Sequence, residues 1–568
     1  MRRVVLVRLI VVLGLLVAAS PQATAALVDS GQQGATSAGN ATLDGNATGG
    51  PDRHPRLVGV YPNPVAADDA GEFVVLDAPA GTRLGTYRLA DDETAVALPN
   101  ATVGGRVVLT PVPERTRRLV DDRIVAVDAL PRLANAGEPL RLSRDGAVVD
   151  ALGYRDAPEG ELYVRRVGRF RPLGATDRPV VASGPANATA FLLPDAPEVP
   201  TRVLAGAEER ILLAGYTFTS DRVADELVRA HRRGVRVAVL VEGDPVGGTT
   251  TAQARALDRL VAAGIAVRAV DGPRARYAYH HAKYAVADDR ALVLTENWKP
   301  SGAGGRSSRG WGVVVRDART AAALAETFRA DAGWLDARPW GTVRRNLTLV
   351  NESVAAGDYP RRIEPERLRV ERVRVLAAPD NAERALRGVL GNATRSIDVV
   401  QVSLGGPDGP LAGAAIAAAR RGVRVRVLLS GAWYVREENA ALAERLNALA
   451  DEEGIPLSAR LADPRGRFEK VHAKGVVVDD RLAVVGSLNW NAHAARENRE
   501  VALVLEGEAV GGYYARAFEA DWHASASGDG REPRVPIGLL AGIAAAAAAT
   551  AALGRRIEFE EGGGSDRY

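Results

Sequence analysis

His281-Ala282-Lys283-Tyr284-Ala285-Val286-Ala287-Asp288 and His472-Ala473-Lys474-Gly475-Val476-Val477-Val478-Asp479 are one pattern, His-x-Lys-x4-Asp, written twice. With seven His and four Lys in 568 residues, chance supplies about 0.05 His-x-Lys pairs, and requiring the acid lowers this to roughly 0.006. The segments 283–287 and 474–478 are apolar and strand-like, so His and Lys at i and i+2 project from the same face. Each Asp opens an Asp-Asp-Arg turn, and a second apolar strand follows, Ala291–Leu294 and Leu482–Val485. Beyond it stand Thr295-Glu296-Asn297-Trp298 in the first copy and Gly486-Ser487-Leu488-Asn489-Trp490 in the second. Amide, hydroxyl and ammonium groups thereby gather at one end of a hairpin, a positive, hydrogen-bond-donating pocket suited to a phosphoryl oxyanion.

Outward from these motifs the whole surrounding segment repeats, with a period near 190 residues. Arg232-Arg233-Gly234-Val235-Arg236-Val237 recurs as Arg420-Arg421-Gly422-Val423-Arg424-Val425. Each follows an Ala-rich helical stretch and enters an apolar strand, Ala238–Val241 and Val427–Leu429. Gly264-Ile265 returns as Gly454-Ile455, and Phe328 and Asp331 return as Phe518 and Asp521. Strand–helix–strand alternation in both copies reads as a duplicated α/β domain with a covered sheet, over 185–345 and 368–525.

The doubled motif resembles the phospholipase D superfamily, the HKD phosphodiesterases, over about residues 190–525. The resemblance implies one active site built from both copies of a single chain, an intrachain pseudo-dimer, with no metal or other cofactor. It further implies a phosphohistidine intermediate. His281 is then the nucleophile and His472 the general acid; Lys283 and Lys474 hold the phosphate, and Asp288 and Asp479 complete the motif chiefly as organisers. Thr295, Asn297, Ser487 and Asn489 bind or orient the phosphate. Glu500, in Asn498-Arg499-Glu500, stands where the family uses a carboxylate to orient histidine. The first copy departs from this pattern: Gly-Ser is shortened to Thr295, and Trp311 stands near the expected Glu. What orients His281 is thereby left open, with Glu296 as a substitute. His280 reads as a neighbour of the site, and His231, His493 and His523 as surface or structural residues. Trp298 and Trp490 either line the pocket or pack beneath it. The repeated Arg-Arg-Gly is a solvated helix end or a phosphate contact.

Before the repeat, residues 56–155 carry short strand-like runs broken by turns: Leu57–Tyr61, Glu72–Leu76, Arg106–Leu109, Leu140–Leu142 and Ala147–Leu152, with Asp145-Gly146 as a hairpin turn. That spacing predicts a β-sandwich. Its landmarks, from Tyr61-Pro62-Asn63-Pro64 through Gly71-Glu72-Phe73, Leu89-Ala90-Asp91 and Asn135-Ala136-Gly137-Glu138 to Asp150 and Tyr154, resemble the immunoglobulin-like lamin-tail domain. This implies a binding or spacer role with a ligand not named by the sequence; Glu72 and Asp91 are fold and turn residues.

The ends read as export signals. Met1-Arg2-Arg3, the apolar run Leu9–Ala19 and Ala23-Thr24-Ala25 form a signal peptide over 1–25, or an uncleaved anchor. A polar linker covers 26–55. Val535–Leu553 has no charge over 19 residues and reads as a transmembrane helix, with an Ala-rich soluble helix as the other reading. Arg555 and Arg556 open a cytoplasmic tail, 554–568. Seven N-x-S/T sequons lie between the two apolar segments, which fits catalytic domains outside the cell.

Cysteine is absent, which removes disulfides, thiolate metal sites and cysteine nucleophiles. The formal charge of +3 supplies no global field for nucleic acid. Of 73 basic residues only four are Lys, at 283, 299, 470 and 474, and two of these sit in the motifs. A compact ammonium fits beside a phosphorus centre where a planar guanidinium would intrude. The expected protein is thus an immunoglobulin-like β-sandwich, two duplicated α/β phospholipase D-type domains and a C-terminal transmembrane helix. Its expected activity is hydrolysis of phospholipid head-group phosphodiesters. An extracellular nuclease of the same chemistry and a degenerate surface-binding protein are the alternatives.

Overall fold

A computed structural model describes residues 54–65, 70–120, 122–272 and 275–525. The expected signal peptide (1–25), nearly all of the linker (26–55), the apolar segment 535–553 and the tail 554–568 lie outside the described residues. Among those described, no helix is long and apolar enough to cross a membrane.

Residues 56–172 form two sheets. The strands Arg56–Tyr61, Phe73–Arg83, Thr102–Thr110, Arg123–Ala126, Glu161–Val164 and Arg169–Pro172 make the larger, and Tyr87–Ala90, Ala95–Ala97, Gly137–Arg144 and Ala147–Arg155 the smaller. Alternate side chains point inward from both, so Leu57, Val74, Leu76 and Val107 meet Leu89, Leu140, Leu142 and Leu152 in one core. The turn at Asp145-Gly146 has φ of +51° and +81°, the two left-handed positions that a tight hairpin demands. Asp91 accepts backbone N–H bonds from Glu93 and Thr94, a turn role. The strands 161–164 and 169–172 carry the larger sheet past the expected limit at 155.

The duplicated halves have one topology. In the first, strands run in the spatial order Ala266–Val270, Arg236–Glu242, Arg210–Gly215, Tyr284–Ala287, Arg290–Leu294, Ser308–Arg316, Ala186–Leu193. In the second the order is Leu457–Leu461, Arg424–Leu429, Ser396–Gln401, Gly475–Val478, Leu482–Gly486, Glu500–Glu506, Arg372–Ala378. The first three of each are parallel, joined by helices; the next three form antiparallel ladders. The edge strands are exchanged. Val181–Ser183, ahead of the first half, pairs with the second half's 372–378, while Glu366–Val370, ahead of the second, pairs with 186–193.

Outer helices cover one face of each sheet. The inner faces share a core in which Val286, Val293 and Val313 join Val477, Val485 and Leu503, with Phe328 and Phe518 from the helices Ala318–Ala332 and Glu508–Ala524. Strands covered on both sides account for the near-continuous apolar runs in both halves.

Candidate active site

The backbone brings the two motifs to one place. His281 N–H donates to the carbonyl of Arg499 at 2.9 Å, and His472 N–H donates to that of Arg309 at 3.0 Å. Each His-x-Lys segment is therefore seated on the start of the other half's strand, 500–506 or 308–316. Two buried guanidinium clusters hold these crossings. Arg499 reaches Asp331 at 3.1 Å and Asp380 at 3.3 Å and lies 4.2 Å over Tyr277. Arg309 binds Asp195 and, at 3.0 Å, Asp521. Asp331 and Asp521, visible in the sequence as repeated helix residues, are thus the acids that receive the other half's arginine.

Glu500 accepts from His281 Nδ1 through both oxygens, at 2.8 and 3.0 Å, and is itself held by Asn498 at 3.2 Å. A carboxylate on Nδ1 selects the tautomer whose Nε2 carries the free lone pair. Tyr216 stands edge-on to the His281 ring, with centroids 4.7 Å apart, and Lys283 Nζ lies 5.2 Å over the Tyr216 ring. On the other side His472 Nδ1 is 3.3 Å from Glu296 Oε2, and Lys474 Nζ lies 3.1 and 3.2 Å from the two ring nitrogens. Both lysines also donate to the carbonyl of their own motif's histidine.

Burial, with the lysine charges, pulls His281 and His472 down to about 4, against the opposing carboxylates, so both imidazoles are neutral near pH 7. Each histidine feels the lysines of both halves, which marks a single electrostatic site. Burial likewise lowers Lys283 well below its usual range and Lys474 to about 8, with Glu296 and Glu500 pulling the other way. Glu500 is pushed up by burial but held low by His281 and Lys283, and stays ionised.

Asp288 and Asp479 organise the hairpin, as the resemblance implies, at the end away from the pocket; other expectations are corrected. Asp288 accepts the backbone N–H groups of Glu208, Glu209 and Arg210, each at 2.9 Å; Asp479 does the same for Thr394, Arg395 and Ser396. They tie the turn at the far end of the hairpin to the strand beside it. The first copy is not shortened at Thr295: Leu294-Thr295 superposes in register on Gly486-Ser487. The Thr295 and Ser487 hydroxyls accept the N–H of Trp311 at 2.9 Å and of Val501 at 3.1 Å, so both pin the neighbouring strand. Asn297 and Asn489 each keep a buried side-chain oxygen with no partner among the described residues. Trp311 is equivalent to Val501, not to Glu500, and packs on Gly475 and Tyr514. The acid that orients His281 is Glu500 of the other half, and Glu296 faces His472 instead. Trp298 and Trp490 are buried beneath the site. His280 is a fully buried neighbour bound to Asp331, and Arg233 and Arg421 bind helix-end carbonyls.

Some groups at the site were not foreseen. Tyr216 and Tyr279 carry no repeat signal; the arginines 309 and 499 do, as the shared middle residue of Ser-Arg-Gly and Asn-Arg-Glu. Among the described residues no three His, Asp or Glu side chains are grouped as a metal site requires.

Comparison with known proteins finds one family in both halves. The family described as "Cardiolipin synthase, PLD-like domain" matches residues 201–332 and 386–522, one match per half. With its doubled α/β domain and paired His-x-Lys motifs, the chain belongs to the phospholipase D superfamily. It is 29% identical over 143 residues to mitochondrial cardiolipin hydrolase of Xenopus tropicalis, covering 25% of this chain and 62% of the relative. It is 33% identical over 110 residues to cardiolipin synthase B of Salmonella typhi, covering 17% of this chain and 25% of the relative. The phosphatidylserine synthase structure from Haemophilus influenzae Rd KW20 aligns with a TM-score of 0.43 at 16% identity, over 59% of this chain and 85% of its own.

Proposed function

We propose that this protein hydrolyses phospholipid head-group phosphodiesters through a phosphohistidine. The observation that carries the reading is the convergence of two histidines, each facing a buried carboxylate, with two buried lysines. His281 Nε2 attacks phosphorus, the bond to the leaving alcohol breaks, and His472, protonated on Nε2 once the bound phosphodiester anion offsets the lysine charges, passes that proton to the alcohol. His472 then takes a proton from water as the water oxygen displaces His281 from phosphorus, and the phosphate monoester leaves. The lysine ammonium groups neutralise the non-bridging oxygens. An asymmetry supports this order: Lys474 lies against both ring nitrogens of His472 and engages its lone pair, whereas Lys283 bonds only the backbone of His281 and leaves Nε2 free to attack.

Lipid is favoured over nucleic acid by the side chains that follow two equivalent strands beside the site. Val246 is 56% exposed, and Trp433 and Tyr434 are 61% and 41% exposed. Val246 N–H donates to the Tyr216 hydroxyl, and Tyr434 stacks near Lys470, two residues before His472. Apolar and aromatic tips flanking a catalytic centre suit a lipid–water interface. The same reading has the protein exported, anchored by 535–553 with its catalytic halves outside, monomeric, and carrying a lamin-tail-like immunoglobulin fold at 56–155 as a surface-binding or spacer module. Purified protein incubated in EDTA with cardiolipin or phosphatidylglycerol vesicles, and separately with single- and double-stranded DNA and RNA, tests it. Release of head-group alcohol is expected. Cleaved nucleic acid with intact lipid would establish the nuclease instead, and no turnover of either, with no trapped phosphohistidine, the binding protein.

A further inference from the structure

The two histidines do not receive their carboxylates from equivalent positions. Register across the sheets equates Arg309 with Arg499 and Gly310 with Glu500. Since His281 is seated on Arg499 and His472 on Arg309 through the same backbone bond, the carboxylate expected under His472 belongs at position 310, where the chain has glycine. A Cβ at Gly310 would lie 2.2 Å from Glu296 Cγ and 2.7 Å from its Oε1. The Glu296 side chain therefore occupies the volume that a side chain at 310 would need. It enters from the neighbouring strand's end, is 2% exposed, and brings Oε2 to 3.3 Å from His472 Nδ1. Gly302 also lies close, but a Cβ there would meet the Asn297 carbonyl oxygen at 2.6 Å as well as Oε2 at 2.7 Å, so the turn backbone already requires glycine at 302. In the second half the equivalent of Glu296 is Leu488, buried in the outer core.

We propose that Glu296 is a relocated positioning residue. The Glu296–Gly310 pair does for His472 what the Leu488–Glu500 pair does for His281: it places a carboxylate on Nδ1 and leaves Nε2 for the reacting groups, phosphorus at His281 and the leaving oxygen at His472. An incidental buried acid would not fill the space of a side chain at 310 and point an oxygen at the ring. The first half, which looks degenerate in sequence because its strand lacks the acid, is thus complete in space. The contact is single and longer than the paired 2.8 and 3.0 Å contacts of Glu500. That difference suits a histidine that must accept and return a proton rather than hold a covalent bond.

The kinetic part rests on the phosphodiesterase reading; the imidazole tautomer does not, since it is read without substrate. In full-length protein labelled with 15N-histidine, Glu296→Gln keeps the shape but removes the charge that enforces Nδ1–H. The expected result is a mixed His472 tautomer, with His281 unchanged. With bis(p-nitrophenyl) phosphate as probe, kcat falls roughly 30-fold or more, KM stays within about threefold, and the pH profile of kcat shifts. Glu296→Leu is expected to lose more, and the double variant Glu296→Leu/Gly310→Glu, which copies the second half, to regain most of it. An unchanged His472 signal in Glu296→Gln overturns the proposal whatever the activity. So does a rise in KM at constant kcat, which would make Glu296 a counter-charge for the lysines. Loss of the tautomer with no turnover even in the unaltered protein would leave the positioning role standing and remove the phosphodiesterase reading.

Discussion

At the scale of single residues the site is a balance of charge and burial. Two ammonium groups and two carboxylates share a space where the imidazoles are neutral. Removing His281 or His472 as Ala is expected to lower kcat by a factor of 10³ or more, with phosphorus trapped on protein only when His281 is present; acid-quenched labelling checks both. Lys474→Met replaces a buried cation, already drawn down to about 8, by an apolar chain of similar length. It is expected to abolish turnover while raising the unfolding free energy at pH 7 by roughly 1–3 kcal/mol, read by chemical denaturation. Lys474→Arg keeps charge but not shape and is expected to be inactive as well, which accounts for lysine persisting here among 69 arginines. A bound phosphodiester anion offsets the lysine charges that help hold His472 at about 4, so the alkaline limb of kcat, where the general acid loses its proton, is expected above that of kcat/KM in pH–rate profiles.

At the scale of elements, the hairpin and not the single strand is the functional unit. Its near end carries His and Lys; its far end is tied by Asp288 or Asp479 to three consecutive backbone N–H groups. Asp288→Ala leaves those donors without their acceptor and is expected to cost about 1–3 kcal/mol of stability with KM nearly unchanged, a split measurable by thermal unfolding beside steady-state kinetics. This also explains what was legible at this level. The strands and the i, i+2 geometry follow from apolar periodicity, which is local. The acid's destination does not, because spacing along a strand says how far apart two residues lie and not which neighbour they bond. The same limit hid the register of Trp311: position by sequence distance put it near the missing Glu, whereas the ladder pairs place Gly310 there.

At the scale of the whole molecule, each half completes the other. Arg499 and Arg309 cross from one half to the helix of the next, and edge strands are exchanged. Arg499→Ala would leave the buried carboxylate of Asp331 with His280 and no arginine bonded to it, and that of Asp380 with Arg171 as its only cation. A loss of about 3–5 kcal/mol is expected, with turnover falling because His281 is seated on the same residue's carbonyl; chemical denaturation of the variant checks it. Acid sensitivity also belongs here. The folded histidines titrate at about 4 against an ordinary 6.5, so the unfolded chain binds more protons between these values. Stability is full above about pH 6.5 and falls as pH drops through 4, by roughly 1–3 kcal/mol per histidine. The double variant His281→Asn/His472→Asn is expected to flatten that part of the acid limb.

From the chain alone one can read the duplication, the α/β halves, the family and the two His-Lys pairs, because these are patterns of residue type at short, regular spacing. Which carboxylate serves which histidine is set only in the folded molecule. Glu500 and His281 are 219 residues apart, and Glu296 meets His472 through space vacated by Gly310. Local periodicity writes strands and helices into the sequence; a hydrogen bond across two halves depends on register, side-chain volume and the crossing of backbones, and none of these has a one-dimensional signature.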